Sequence, residues 1–318
     1  MQNFMKQSDP NSAVLETIFE ALGTTNRILV SAYRERIAAG EALKRAEERV
    51  RALHERLSVF QPESELSLLN ASAGCSSIPV GKDAFLLLHE SKRFSALSEK
   101  AFSITTRALS ALWEIHARCG TVPSRAEVEH TLLLVNDEDI LLDEEAQTAE
   151  LRIFGQSVDL GAIAKGYAAD EVRRILIEGG ITGALINLGG TVSVIGESKH
   201  VGIQHPDRTT GIPMGRVSLF DACAVTSGDY ERYYEVDGTR YHHIVDPRTG
   251  YPSRSGLRSV TLIGENALTL DALSTAVFVL GAEKGLPLIQ QAGLEAVFVT
   301  DQLDVFCTDG LRGNFELF

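Results

Sequence analysis

The hydrophobic positions along the chain predict helices early and short strands later. Apolar residues three or four positions apart, the spacing of one helix face, predict helices over 41–57, 82–99, 105–117 and 269–280. Short apolar runs bounded by turn residues predict strands over 28–30, 133–142, 150–154, 201–204, 216–220, 258–264 and 295–300. Because the first three helices precede most strands instead of alternating with them, the pattern favours an α+β fold with closely associated subdomains over a Rossmann array.

A turn-rich segment and a glycine-rich segment interrupt this pattern. Over 58–70, Pro62 ends the preceding helix and Ser64 is suited to cap whatever follows. Over 158–180 we expect a short strand ending at Asp159, a glycine turn and an amphipathic helix. Such a turn gathers N–H groups that suit a phosphate, or turns a carbonyl toward a metal, and Lys165 can face the same ligand. A tight turn capped by Asp159 explains the segment equally without a ligand.

Composition and charge exclude several classes of protein. The chain has 318 residues, 44% of them hydrophobic and 23% charged, as in ordinary globular proteins. Its formal net charge of −13 argues against non-specific nucleic-acid binding, because phosphate repulsion is not compensated. Binding of a phosphorylated small molecule is compatible with that net charge, since a metal ion or backbone N–H groups can bind a phosphate locally.

The termini and the cysteines bear on location. No apolar run reaches the roughly 18 residues of a membrane span. Asp9 and Pro10 stand where an export signal would have its apolar region, so we expect a cytoplasmic protein. The cysteines are far apart, which predicts four buried free thiols and neither zinc nor disulfides; they are Cys75, Cys119, Cys223 and Cys307.

Two later segments carry candidate chemistry. Residues 224–252 combine a predicted polar turn at 226–228 with the pair His242-His243, whose side chains point to opposite sides if the backbone is extended. One of these histidines facing a ligand could act as a general base. Asp271 and Thr275 lie four residues apart, on one face of the predicted last helix, and offer the hard oxygens that Mg²⁺ prefers. Alternatively, Thr275 simply bonds back to a helix carbonyl.

Taken together, the segments resemble a known family. Motifs in matching order cover about residues 20–310: SELSLLN (64–70), KAFSIT (100–105), VDLGAIAKGYAADEV (158–172), INLGG (186–190), VGIQHP (201–206), TSGDYERYYEVDG (226–238), HHIVDPRTGYP (242–252) and DALSTAVFVLG (271–281). They are similar to the ApbE family of FAD:protein FMN transferases. Because the motifs fall in both halves of the chain, we expect a single T-fold-like domain over 13–318, preceded by a disordered segment over 1–12.

The resemblance implies Mg²⁺-dependent transfer of FMN from FAD to a Thr or Ser hydroxyl of a target protein, with release of AMP. The implied metal ligands are the Ala162 carbonyl, the Asp271 carboxylate and the Thr275 hydroxyl. His243 stands where the family has a histidine associated with deprotonation of the acceptor, although contact with the flavin is an alternative role. The implied FAD contacts are Leu22, Phe60, Ala101, Phe102, Ser103, Asp159, Lys165, Val245 and Ser274.

The chain departs from the family pattern at two of these positions, and it leaves two other functions open. Ser103 replaces a usual aspartate, which removes an acceptor for the nucleotide, and Leu22 replaces a frequent methionine. The same site would serve an Mg²⁺-dependent FAD pyrophosphatase that releases FMN and AMP. A non-catalytic FAD-binding protein is the third interpretation.

Overall fold

Sixteen strands and eight α-helices make up the part of the chain that the computed structural model describes, residues 14–31 and 36–318. The strands are β1 (Val14–Ala21), β2 (Thr24–Ser31), β3 (Ile78–Pro79), β4 (Ile140–Asp143), β5 (Thr148–Leu151), β6 (Ala184–Leu188), β7 (Thr191–Ile195), β8 (Lys199–Gln204), β9 (Pro213–Leu219), β10 (Cys223–Gly228), β11 (Tyr233–Val236), β12 (Thr239–His242), β13 (Leu257–Gly264), β14 (Glu295–Thr300), β15 (Val305–Cys307) and β16 (Phe315–Leu317). The helices are α1 (Arg36–Leu57), α2 (Glu65–Ala71), α3 (Lys82–Leu97), α4 (Arg107–Cys119), α5 (Arg125–Leu132), α6 (Ala164–Glu178), α7 (Ala267–Leu280) and α8 (Ala282–Gln291). The expected disorder of 1–12 lies outside the described residues.

An eight-stranded antiparallel sheet organises the fold, in the order β1-β2-β6-β7-β10-β13-β14-β15. Strands β1 and β2 join through Leu22-Gly23, which both have positive φ, as a two-residue hairpin turn requires. Helices α1, α6 and α7 pack together, and α7 also packs on β10 and β13. One large core cluster therefore draws on residues from Phe19 to Phe298. This mixture of helices and sheets is the α+β architecture that the sequence predicts.

Three smaller sheets complete the structure. They have the orders β16-β9-β8, β3-β5-β4 and β11-β12, the last being an isolated hairpin. That hairpin leads directly from the TSGDYER segment into the histidine pair. Its Tyr234 and Tyr241 rings stack, and Tyr241 also stacks on Trp113 of α4, with ring centroids 5.5 and 5.4 Å apart. The aromatic stack fixes the hairpin to the helical part of the molecule.

Several predicted elements are confirmed. Helices α1, α3, α4 and α7 cover the four predicted helical segments, and Ser64 caps α2 by accepting a hydrogen bond from the Ser67 N–H. The strands predicted over 28–30, 201–204, 258–264 and 295–300 lie within β2, β8, β13 and β14.

Other predictions were wrong. Residues 133–139 form a turn and a short 3₁₀ helix, and only β4 from Ile140 onward is a strand. The reason is that Val135 packs on the cluster around Trp113, which consists of Leu109, Trp113, Val128 and Val245. Residues 226–228 belong to β10 and are not a turn, and residues 152–158, directly before Asp159, do not form a strand. Helices α2, α5 and α8 were not predicted as helices, since α2 and α5 are only 7 and 8 residues long and α8 contains Pro287.

The cysteines are free, as predicted, but they are not all buried. Cys223 alone is buried, while Cys307 is partly exposed and both Cys75 and Cys119 are exposed. Cys75 lies in a turn and Cys119 ends α4, positions that the sequence pattern does not mark as surface. Within residues 14–31 and 36–318, no helix is both long enough and apolar enough to cross a membrane.

Candidate active site

The crossing of α6 and α7 positions the predicted acidic residue. Gly166, in the first turn of α6, faces α7 so closely that a Cβ there would lie 2.2 Å from the Ala267 carbonyl oxygen. Its N–H donates to Asp271 Oδ2 at 2.8 Å. Asp271 is only 4% exposed, so this bond offsets part of the cost of burying a carboxylate. Glycine at 166 is thus required for the contact that orients Asp271.

The Asp271 carboxylate satisfies a donor at the start of α6. Gly166 is the third residue of a helix that begins at Ala164, so its N–H is one of the first four donors, which have no partner within a helix. The Ala162 carbonyl lies before the helix and accepts no hydrogen bond from the described residues. An unbonded carbonyl and a buried carboxylate are both oxygen ligands that suit a hard divalent cation.

Thr275 supplies the third predicted oxygen. Its hydroxyl makes only long contacts, 3.4 Å to the Asp271 carbonyl and 3.4 Å to Ser227 Oγ. The contact with the Asp271 carbonyl is the bond back to a helix carbonyl that the sequence allowed as an alternative. Because this bond is long and weak, the hydroxyl is free to turn toward a cation. One carboxylate, one carbonyl and one hydroxyl therefore form an oxygen-only donor set that fits Mg²⁺. No group of three or more His, Cys, Asp or Glu side chains suited to a metal occurs in the described ranges.

Lys165 lies within this donor set. Its ammonium donates to the Gly161 carbonyl at 2.8 Å and lies 3.6 Å from Asp271 Oδ1. Asp159 does not cap α6: its carboxylate accepts from the Gly161 N–H at 2.8 Å, in a turn that ends before the helix begins at Ala164. The turn from Asp159 to Ile163 thus supplies the Gly161 carbonyl that anchors Lys165 beside Asp271.

The two histidines have different roles in the structure. Buried His242 uses both ring nitrogens: Nδ1 accepts from the Ile244 N–H, and Nε2 lies 2.9 Å from the Ser253 carbonyl. His243 contacts the Arg232 carbonyl through Nδ1 at 3.2 Å. Since a carbonyl only accepts, Nδ1 of His243 carries the proton and Nε2 keeps a lone pair.

The surroundings of His243 keep its ring neutral. Desolvation, followed by the positive charge of Arg232, lowers the pKa of His243 to about 3. Lys165 acts on His243 in the same direction, which places this histidine within electrostatic range of the Lys165 and Asp271 cluster. A neutral imidazole with a free Nε2 has the protonation state from which a general base acts, but a pKa this low makes the ring a weak proton acceptor in the ligand-free site.

Glu231 also belongs to this cluster, although the sequence did not single it out. It interacts electrostatically with Lys165 and Asp271, and its Oε1 lies 3.9 Å from where a Cβ on Gly190 would be. Gly189, beside it in the INLGG turn, packs on Thr24 of the hairpin turn that contains Leu22. The INLGG turn therefore lies between Thr24 and Glu231, and only the motif TSGDYERYY offered a sequence signal for Glu231.

Asp170 is a second residue that sequence reasoning missed. Its carboxylate accepts from the Ala267 N–H and the Leu268 N–H, both at 2.9 Å, and from Asn266 Nδ2 at 3.0 Å. These bonds join α6 to the first turn of α7, four residues before Asp271. Its place at the end of the quoted motif DLGAIAKGYAAD was the available signal.

The remaining predicted FAD contacts surround this cluster unevenly. Phe60 is 69% exposed, with the Arg107 guanidinium 5.4 Å from its ring centroid. Ala101 and Phe102 are each only 1% exposed, so neither residue presents an open surface to a ligand in this conformation. Val245 is buried in the cluster around Trp113.

Ser274 and Ser103 both engage protein groups. Ser274 is fully buried and bonds to Ser227 Oγ and the Asp271 carbonyl. Ser103 donates to Asp137 Oδ1 at 2.9 Å, and that oxygen also accepts from the Thr105 N–H and hydroxyl. Asp137 thus brings a buried carboxylate to the turn where Ser103 has none.

Comparison with known proteins gives a consistent result. The model of the ApbE family matches residues 22–298. A protein from Klebsiella pneumoniae called "FAD:protein FMN transferase" is 38% identical over 261 residues, 82% of each chain. One of the same name from Treponema pallidum is 32% identical over 91% of this chain and 85% of its own.

Solved structures agree. The ApbE protein of Thermotoga maritima superposes with a TM-score of 0.86 at 31% identity, over 95% of this chain and 99% of its own. The apo form of the Pseudomonas stutzeri flavinyl transferase ApbE superposes with a TM-score of 0.82 at 26% identity, over 95% and 96% of the two chains. On this evidence the chain belongs to the ApbE family.

Proposed function

We propose that the protein transfers FMN from FAD to a Thr or Ser hydroxyl of a target protein, with Mg²⁺ as cofactor and AMP as the second product. The name shared by the Klebsiella and Treponema relatives supports the reaction class. The observation that carries the proposal for this chain is the buried Asp271 carboxylate, which the Gly166 N–H holds at the start of α6. The turn before that helix offers the Ala162 carbonyl, which accepts no hydrogen bond from the described residues.

The oxygens of Ala162, Asp271 and Thr275 would hold the cation. When bound there, Mg²⁺ supplies positive charge next to the pyrophosphate oxygens of FAD. Lys165 adds a second positive charge at the same place. Together they make the cleft attractive to a pyrophosphate despite the net charge of −13.

His243 would handle the proton. The acceptor oxygen attacks the phosphorus of the FMN half, and its proton passes to Nε2 of His243, whose Nδ1 is held by the Arg232 carbonyl. A new P–O bond to the Thr or Ser oxygen forms, and the P–O bond to the AMP phosphate breaks with its electron pair on AMP. The chain itself contributes mainly by holding these groups in line, as is usual for phosphoryl transfer.

The test uses the purified chain with FAD, Mg²⁺ and an acceptor domain that bears a Thr. We expect flavin fluorescence that stays on the acceptor band in a denaturing gel, and loss of that band with Asp271→Asn. Asp301→Asn, a change of the same kind at an exposed turn, is the matched control and keeps full transfer. Free FMN without labelling would indicate a pyrophosphatase, and unchanged FAD would indicate a binding protein.

A further inference from the structure

Three hydroxyl groups meet where β10 runs beside α7. The Oγ of Ser227, on β10, lies 2.9 Å from Ser274 Oγ and 3.4 Å from Thr275 Oγ1. Side chains two positions apart on a strand share a face, and Val225 of β10 packs in the core cluster that also contains residues of α7. Ser227 therefore points to α7, the helix that carries the candidate metal ligands Asp271 and Thr275.

The directions of these hydrogen bonds follow from the number of protons that the hydroxyls carry. The Ser274 hydroxyl donates to the Asp271 carbonyl at 3.0 Å, because a carbonyl only accepts. Since its one proton is then in use, the Ser227 hydroxyl is the donor and Ser274 Oγ the acceptor in the 2.9 Å contact. The proton of Ser227 is thus directed away from Thr275, and its oxygen keeps a lone pair for another donor.

Ser227 Oγ is the better acceptor for the hydroxyl proton of Thr275. The Asp271 carbonyl also lies 3.4 Å from Thr275 Oγ1, but it accepts the Ser274 hydroxyl and, as in a regular helix, the Thr275 N–H. These two donors occupy both lone pairs of the carbonyl. A hydroxyl that binds a cation directs a lone pair toward the positive charge and its proton away from it. An acceptor at Ser227 meets this requirement for Thr275.

We propose that Ser227 is a positioning residue that accepts the hydroxyl proton of Thr275 and thereby turns a lone pair of Thr275 toward a divalent cation. The hydrogen bonds run from Thr275 through Ser227 and Ser274 to the Asp271 carbonyl, which gives each hydroxyl a single direction. Ser227 acts through Thr275 and does not itself touch the cation. The inference rests on the metal site of the proposed function, and it adds a residue of β10 to a site otherwise built from α7 and the turn before α6.

Cation affinity, measured without FAD, tests this role. The full chain is titrated with Mn²⁺, and free Mn²⁺ is followed by its paramagnetic resonance signal. We expect Ser227→Ala to bind Mn²⁺ about tenfold more weakly than the unchanged chain, as is usual when the partner of a metal ligand is removed. Unchanged affinity in this variant would overturn the proposal.

Thr226→Val is the matched control. Thr226 directly precedes Ser227 on β10, so its side chain lies on the opposite face of the sheet. Its hydroxyl also pairs with another hydroxyl, Thr261 Oγ1, at 2.8 Å. The variant should bind Mn²⁺ as the unchanged chain does, and a loss equal to that of Ser227→Ala would overturn the proposal. Thermal melts establish that each variant is folded.

The double variant with Thr275→Val separates positioning from direct ligation. Thr275→Val removes the hydroxyl through which Ser227 acts, so Ser227→Ala should cause no further loss of Mn²⁺ affinity in that background. The same loss in both backgrounds would mean that Ser227 acts independently of Thr275 and would overturn the proposal.

Ser227→Cys gives an answer even where Thr275→Val binds Mn²⁺ too weakly to titrate. A thiol in direct contact with the cation would shift the preference from Mn²⁺ strongly to Cd²⁺, because thiolates favour soft metals. A thiol behind Thr275 leaves the relative affinity for the two metals as in the unchanged chain, which is the expected result. A strong shift to Cd²⁺ would overturn the proposal.

The test is independent of catalysis. Mn²⁺ binding with the expected pattern but no FMN transfer would support the role of Ser227 and refute the proposed reaction. Mg²⁺-dependent transfer, but no coupling between Ser227 and Thr275 in Mn²⁺ binding, would do the reverse. Failure of the unchanged chain to bind Mn²⁺ would refute both.

Discussion

Replacement of Gly166 by alanine tests the helix crossing on which the site depends. The added Cβ would lie 2.2 Å from the Ala267 carbonyl oxygen and 2.7 Å from Asp271 Cβ. The first of these is a backbone atom within α7, so no side-chain rotation relieves the clash. A carbon approaches a carbonyl oxygen to about 3.3 Å, so α6 and α7 must separate by about 1 Å.

Separation of the two helices would break the hydrogen bond that orients Asp271. A shift of about 1 Å lengthens the bond from the Gly166 N–H to Asp271 Oδ2 from 2.8 Å to beyond hydrogen-bonding range. Overpacking costs about 1–3 kcal/mol, and loss of a bond to a buried charged group costs about 1.5–3 kcal/mol. We therefore expect Gly166→Ala to lower the free energy of unfolding by about 3–5 kcal/mol. Misplacement of Asp271 by this amount lowers transfer by about 100-fold.

Gly40 provides the matched control. It is also a helical glycine, in α1, but nothing lies within 4 Å of its Cβ position. Gly40→Ala should raise the free energy of unfolding by about 0.5–1 kcal/mol, because alanine has the higher helix propensity. Urea unfolding gives both values, and the gel assay gives transfer. A Gly166→Ala variant with unchanged stability and full transfer would refute the close crossing of α6 and α7.

Three further predictions concern residues around the site. Asp170→Ala removes the bonds that join α6 to the start of α7, so the free energy of unfolding should fall by about 2 kcal/mol in urea and Mn²⁺ binding should weaken; unchanged values would disprove this link. Asp137→Ala removes the carboxylate oxygen that Ser103 and Thr105 share as an acceptor and should cost about 2–3 kcal/mol, whereas Asp137→Asn keeps an acceptor oxygen and should cost under about 1 kcal/mol; equal losses would count against that role. The pKa of His243 is lowered to about 3, so the ring is already neutral above pH 5, and kcat/KM should not fall as the pH is lowered through 6.5. A fall of kcat/KM near pH 6.5 that disappears in His243→Gln would contradict the lowered pKa of His243.

The sequence predicted those parts of the site that depend on local geometry. Asp271 and Thr275 share a face of α7 because helix periodicity alone places residues four apart on one side. The histidine pair behaves similarly: His242 and His243 bind different carbonyls, as alternating directions along an extended segment require. In these cases the spacing along the chain was sufficient.

The parts that were missed depend on tertiary contacts. The hydrogen bond from the Gly166 N–H to Asp271 joins residues 105 positions apart, and no pattern within α6 indicates it. Asp137 reaches the turn at Ser103 from a segment whose apolar residues predicted a strand, whereas the structure has a 3₁₀ helix there. Glu231 interacts electrostatically with Lys165, a residue far away along the chain.

We propose that Asp271 and the Ala162 carbonyl hold a divalent cation that FMN transfer requires. Its most direct test is Mg²⁺ dependence of covalent labelling of an acceptor domain, compared between the unchanged chain and Asp271→Asn. We predict labelling that rises with Mg²⁺ and vanishes with a chelator in the unchanged chain, and no labelling at any Mg²⁺ concentration in the variant. Labelling by Asp271→Asn with unchanged Mg²⁺ dependence would contradict the account.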